Sequence, residues 1–77
     1  MSISLAALKP GQSGVIVGYT AFDELVQRLM QMGLVEGTRV EVVRYALTGD
    51  PIEIRVMDYA LSLRKAEAST VLIDDVR

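Results

Sequence analysis

The side chains that could do chemistry in this 77-residue chain are carboxylates, hydroxyls, amines and guanidiniums, because it has neither histidine nor cysteine. Thiolate nucleophiles, imidazole bases and disulfides are therefore excluded. So are the usual transition-metal ligands, which leaves carboxylates, carbonyls and water as the only donors for a metal, a set suited to hard cations. Two acidic pairs could act together, Asp23 with Glu24 and Asp74 with Asp75. Neighbours on a strand point to opposite faces, so Asp74 and Asp75 read as a strand end emerging into solvent. Asp23 and Glu24 read as negative charge at the positive end of a helix dipole. No glycine-rich loop is followed by Lys and Ser or Thr, so nothing cradles a phosphate and no GTP hydrolysis is expected. The expectation is a protein that is not an enzyme and needs no cofactor or resident metal. The three tyrosines, Tyr19, Tyr45 and Tyr59, fall near predicted strand ends. There a half-buried ring with a wet hydroxyl is the ordinary role, and an aromatic-lined peptide groove of the SH3 kind is the alternative.

Composition narrows the partners. The formal net charge is −2, the pI is near 4.9, and the eight basic residues form no cluster beyond Arg64 and Lys65. A nucleic-acid surface needs a positive stripe that releases counterions from phosphates, which argues against that class of partner. Met1 to Leu8 lacks the charged and apolar regions of a signal peptide, and no apolar stretch reaches the length of a membrane span. A soluble, cytoplasmic protein with no membrane insertion is expected, as one domain over 1–77, with self-association left open. A core this small contributes roughly 3 to 5 kcal/mol of net stability unless something else reinforces it.

The elements that must position these residues are marked by turn chemistry. Pro10 and Gly11 have the form of a type II turn, and Val15 to Tyr19 follows as a strand, with Gly14 and Gly18 permitting a bulge or a close backbone approach. From Thr20 onward, Phe22, Leu25, Val26, Leu29 and Met32 share one helical face, while Asp23, Glu24, Gln27, Arg28 and Gln31 share the other. Thr20 with Asp23 has the spacing of a capping box. Gly33 stands just past the last periodic residue, where a left-handed stop is expected, with Leu34 placed against Leu29 as in a Schellman ending. Gly37 marks a second turn. Thr38 to Leu47 alternates, with Val40, Val42 and Arg44 assigned to one face and Arg39, Glu41, Val43 and Tyr45 to the other. Thr48, Gly49, Asp50 and Pro51 cluster turn formers, with Pro51 opening the next strand. Ile52, Ile54 and Val56 then alternate with Glu53, Arg55 and Met57, Asp58 turns the chain, and Tyr59 to Lys65 returns as a hairpin with Leu61 and Leu63 inward. Ala66 to Ser69 fits one 3₁₀ turn, and Val71 and Ile73 resume the alternation. About five short strands with one inserted α-helix and a short 3₁₀ turn before the last strand bury their apolar face best as a small, mainly β, SH3-like β-barrel.

Leu8, Pro10, Gly11, Gly14 and Ile16; Leu29, Met32, Gly33, Leu34, Gly37 and Val40; Gly49, Asp50 and Pro51; and Leu61, Leu63, Arg64, Glu67, Ala68 and Val71 together resemble the FeoA family along nearly the whole chain. The most specific element is Met32, Gly33 and Leu34 followed by Gly37. One departure is Glu36, where family members often have proline before the second glycine, which softens that turn without removing Gly37. The same SH3-like module is found in iron-dependent repressors of the diphtheria-toxin-repressor kind. The resemblance implies a cytosolic accessory of bacterial ferrous iron transport that acts by contact with FeoB, a permease with a cytoplasmic G-protein domain. A metal-responsive sensing domain and a generic SH3-like peptide-binding adaptor are the alternatives. The residues assigned to partner contact are Gln27, Arg28 and Gln31 on the polar helix face with Met30 at its border, and otherwise the barrel edge near Tyr45 and Tyr59.

Overall fold

Turn residues divide the chain where their chemistry requires. The computed structural model describes residues 2–77. Strands β1 (Ile3–Ser4), β2 (Ser13–Tyr19), β3 (Arg39–Tyr45), β4 (Ile52–Val56), β5 (Tyr59–Leu63) and β6 (Val71–Asp74) form one sheet in the order β1-β6-β2-β3-β4-β5, every neighbouring pair antiparallel. A 3₁₀ turn (Leu5–Ala7) follows β1, helix α1 (Glu24–Gln31) joins β2 to β3, and the one-turn helix α2 (Lys65–Ala68) joins β5 to β6. The architecture is the mainly β barrel with one inserted helix that the sequence pattern predicts, with a sixth, two-residue strand added at its edge. The connector before the last strand is a single α turn rather than a 3₁₀ one. The Glu67 carboxylate accepts from the Arg64 backbone N–H at 2.8 Å, half of a capping box that Arg64, having no side-chain acceptor, cannot reciprocate.

The Pro10–Gly11 turn closes with Gln12 N–H donating to the Lys9 carbonyl at 3.0 Å, and Gly49 N–H donates to the Ala46 carbonyl at 2.7 Å. Gly11, Gly33, Gly37 and Gly49 all have positive φ, as their turn positions require. Pro51 precedes β4, and its carbonyl accepts from Ala46 N–H at 3.0 Å. β2 contains both irregularities that its glycines permit. The register shifts between Ile16 and Gly18, leaving Val17 unpaired and exposed, and at Gly14 a Cβ would overlap the Ile73 side chain, so β6 approaches the bare backbone there.

Helix α1 is one turn shorter at its start than the apolar periodicity suggests. Asp23, not Thr20, is the N-cap, and its carboxylate accepts from Val26 N–H at 3.1 Å. Phe22 therefore precedes the helix and is 79 % exposed, with its ring edge-on to Tyr19 at 6.3 Å between ring centroids. The buried face consists of Val26 and Leu29, with Leu25, Met30 and Met32 half-buried beside it. The stop is a Schellman motif. Gly33 has φ +102°, Leu34 N–H donates to the Leu29 carbonyl at 3.1 Å and Gly33 N–H to the Met30 carbonyl at 3.0 Å, while Leu29 and Leu34 are both fully buried.

β3 corrects a second expectation. A bulge between Val42 and Arg44 shifts its register against β4, so Val40 and Val42 face Val56 and Ile54 in the core, but Tyr45 also faces buried Ile52. Arg44 is turned outward opposite Glu53, and its guanidinium meets that carboxylate at 2.7 Å. The two residues exchange the faces that strict alternation assigns them. The core is continuous from Leu5 and Leu8 through Ile16, Val26, Leu29 and Leu34 to Ile54, Leu63, Val71 and Ile73.

Candidate partner surface

The exposed face of α1 follows from its period. Gln27, Arg28 and Gln31 lie opposite Val26 and Leu29, and all three are exposed on one side of the helix. Met30 is half-buried and packed against the core, so it is a flank of the hydrophobic contact more than part of the open face.

The tyrosine hydroxyls are committed within the fold. Each donates to a backbone carbonyl: Tyr19 to Leu34 at 2.6 Å, Tyr45 to Leu8, and Tyr59 to Met32. The Tyr59 bond ties the open C-terminal end of α1 to β5, and the Tyr45 bond ties β3 to the segment after the 3₁₀ turn. Burial, with the Glu36 charge adding to it, raises the Tyr19 phenol above its usual pKa of 10.0, so it stays a donor at neutral pH. Tyr45 and Tyr59 each keep more than a third of their residue surface exposed. They do not form one patch. Tyr45 stands opposite Ile52 and Tyr59 opposite Val56, at the two ends of β4, four residues and about 13 Å apart along the strand.

Pairing of the strands also creates a feature that no contiguous stretch of the sequence marks. A surface cleft of about 430 Å³ on the outer face of the sheet is lined by Gly11, Ser13, Arg39, Glu41, Arg55 and Met57. Arg39 is held there by Asp75 at 2.6 Å and by Ser13 Oγ at 3.2 Å, and the Arg77 guanidinium reaches the same carboxylate at 3.4 Å. Arg55 has no ion pair among the described residues. Met57, at the tip of the β4–β5 hairpin, is 70 % exposed and has φ 58°. Ser13, Glu41 and Arg55 become neighbours only through the register of three strands, so the one signal available in sequence is that each alternates with a core residue. Among the described residues no group of three or more Asp and Glu side chains is arranged to hold a metal ion. No helix among them is long and apolar enough to cross a membrane.

A small antiparallel sheet curled over one core, with a single helix between its second and third strands, places the molecule among the SH3-like β proteins. The chain belongs to the FeoA family: the FeoA domain profile matches residues 3–75. The FeoA-like protein of Clostridium acetobutylicum has the same fold, with a TM-score of 0.89 and 33 % identity over 95 % of this chain and 85 % of that one. The FeoA of Stenotrophomonas maltophilia, solved with zinc and described as a prokaryotic SH3 domain protein, gives a TM-score of 0.87 at 27 % identity over 97 % of this chain and 95 % of that one. A fusion of Fe(2+) transport protein A with the Fe(2+) transporter FeoB, from Porphyromonas gingivalis strain W83, is 34 % identical over 70 residues. That match takes in 91 % of this chain, which spans only 8 % of the fusion protein's length.

Proposed function

We propose that this protein is an accessory of ferrous iron transport that works in the cytoplasm by direct contact with a FeoB-type permease. The observation that carries the reading is the fusion relative, in which a segment 34 % identical to this chain is covalently joined to the transporter. Fusion keeps two units at high effective concentration, and it is tolerated where they work side by side. The helix face of Gln27, Arg28 and Gln31 supplies the contact. It is the exposed side of the longest helix, which joins β2 to β3, and its side chains offer hydrogen bonds and a guanidinium fork without burying charge in the free protein.

The test is the double change Arg28→Glu with Gln31→Ala, which leaves Met30 and the core untouched. Cells that depend on the Feo system should lose ferrous iron uptake, and the variant should no longer retain FeoB in a pull-down from native membranes. Wild-type uptake and retention, with the variant folded and expressed normally, would remove the helix face from the contact. A wild-type protein that never retains FeoB would overturn the direct-contact reading as a whole.

A further inference from the structure

The sheet has two open edges, and they are managed differently. β1 is an edge of two residues, too short to template another chain. β5 is the other edge, five residues long, and its sequence Tyr-Ala-Leu-Ser-Leu has no charge, no proline and no bulge against β4. Those are the devices by which exposed edges are usually protected, and here they are missing.

The pairing fixes which groups are free. Val56 and Tyr59 flank a two-residue turn and so exchange both backbone bonds; by alternation Leu61 and Leu63 also bond to β4. The N–H and C=O of Ala60 and Ser62 then point away from the sheet, and among the described residues they have no backbone partner outside it. Both side chains are small and exposed. Tyr59, Leu61 and Leu63 face the core side opposite Val56, Ile54 and Ile52.

Charge on the outer face selects among occupants. Ala60 stands opposite Arg55, and Ser62 opposite Glu53. Glu53 is neutralised by Arg44 at 2.7 Å, whereas Arg55 makes no ion pair among the described residues, not even with Glu41 across from it on β3. A strand added beside β5 would run two strand spacings from β4, about 10 Å, and the Ala60 methyl leaves the path between them open. An arginine and a glutamate side chain together span that distance. In a symmetric pairing of two β5 strands, Ala60 would instead meet the uncharged Ser62 of the second copy, and Arg55 would stay unpaired.

We propose that β5 is a strand-addition site for an extended partner segment that bears a carboxylate opposite Ala60, bound by the free backbone groups of Ala60 and Ser62 and by the Arg55 guanidinium. The affinity comes mainly from main-chain bonds and the selectivity from the one charge. The site is on a different element from the helix face of α1 and does not depend on it.

The probe is the blocked peptide Thr-Thr-Val-Glu-Val-Thr-Thr, titrated into the full chain and followed by amide resonances and hydrogen exchange. Exchange at Ala60 and Ser62 should slow by about tenfold at saturation, while Leu61, already bonded to β4, changes little. Replacing the peptide's Glu by Lys should weaken binding by roughly tenfold, and Arg55→Glu in the protein should reverse that preference. Ser62→Pro removes a donor that the β4 ladder does not use, so the amide spectrum should persist while peptide binding falls. Absence of shifts at Ala60 and Ser62 at millimolar peptide would overturn the proposal, as would equal affinity for the Glu and Lys peptides. Protection that grows with protein concentration alone would assign the edge to a second copy and overturn it as well.

Discussion

Replacing Gly33 by alanine should be among the most costly single-methyl changes available in this protein, and its cost has two separable parts. Gly33 has φ +102°, where an L-residue pays roughly 1 to 2 kcal/mol that glycine does not. An added Cβ would also overlap the Tyr59 hydroxyl, which donates to the Met32 carbonyl, and would stand 3.4 Å from the Cζ of that ring. The ring must move and the hydrogen bond is lost, a further cost of about 1 kcal/mol. The sum, about 2 to 3 kcal/mol, corresponds to a drop of about 2 to 3 M in the urea midpoint for a domain whose m-value is near 1 kcal/mol/M. The parts separate in a double-mutant cycle with Tyr59→Phe. Without the hydroxyl, Gly33→Ala should cost only its conformational part, so the two changes together should cost about 1 kcal/mol less than their sum. Gln31→Ala, two residues earlier on the exposed face, should leave the midpoint almost unchanged. Strict additivity in the cycle would refute the placement of Tyr59 over the helix stop. Equal midpoints for Gly33→Ala and Gln31→Ala would refute the left-handed stop itself.

Two further outcomes follow from single groups. Because the Tyr19 phenol has a folded pKa above 10.0, the folded state holds that proton longer than the unfolded chain; stability is unaffected by it below pH 10.0 and falls as pH rises past it. Urea midpoints should therefore drop more steeply above pH 10.0 for the wild type than for Tyr19→Phe, and parallel slopes would mean that the hydroxyl is not held as described. Purified protein should bind ferrous iron no better than millimolar at neutral pH, since the chain has no histidine or cysteine and no three of its carboxylates converge among the described residues. Calorimetry resolving a stoichiometric micromolar site would promote the metal-sensing reading.

What was legible in the sequence is what local chemistry decides. The helix stop needed only Gly33 with Leu29 and Leu34 in register, and the Pro10–Gly11 and Gly49 turns needed only their own residues. The clean alternation of Ile52, Ile54 and Val56 could be read because nothing interrupts β4. The helix start was misplaced because period was extended past the cap: Phe22 has the spacing of the buried stripe, but Asp23 has the better N-cap acceptor, and a residue before the cap no longer follows the helical period. Had Gln27 been apolar, Phe22 could have packed against it as a staple. The faces of Arg44 and Tyr45 were inverted by a bulge in a run of ordinary strand formers, where no glycine marks the extra residue.

The surfaces were less legible than the core for a related reason. Gln27, Arg28 and Gln31 share a face through one helix, so their spacing alone assembles them, whereas Arg55, Ala60 and the free backbone of β5 come together through pairing that no local rule specifies. Tyr59 belongs to both regions: it begins β5, and its hydroxyl holds the last turn of α1. A partner strand laid along β5 would therefore add order to the strand that anchors the helix end, which couples the two surfaces mechanically without merging them. The coupling has a sign. Binding at β5 should slow hydrogen exchange at Gly33 and Leu34, whose amides close the helix, while the Tyr59→Phe variant, with its link to Met32 cut, should still bind the strand but transmit little of that protection. Equal protection at Gly33 and Leu34 with and without the hydroxyl would mean that the Tyr59 bond does not couple the strand edge to the helix end.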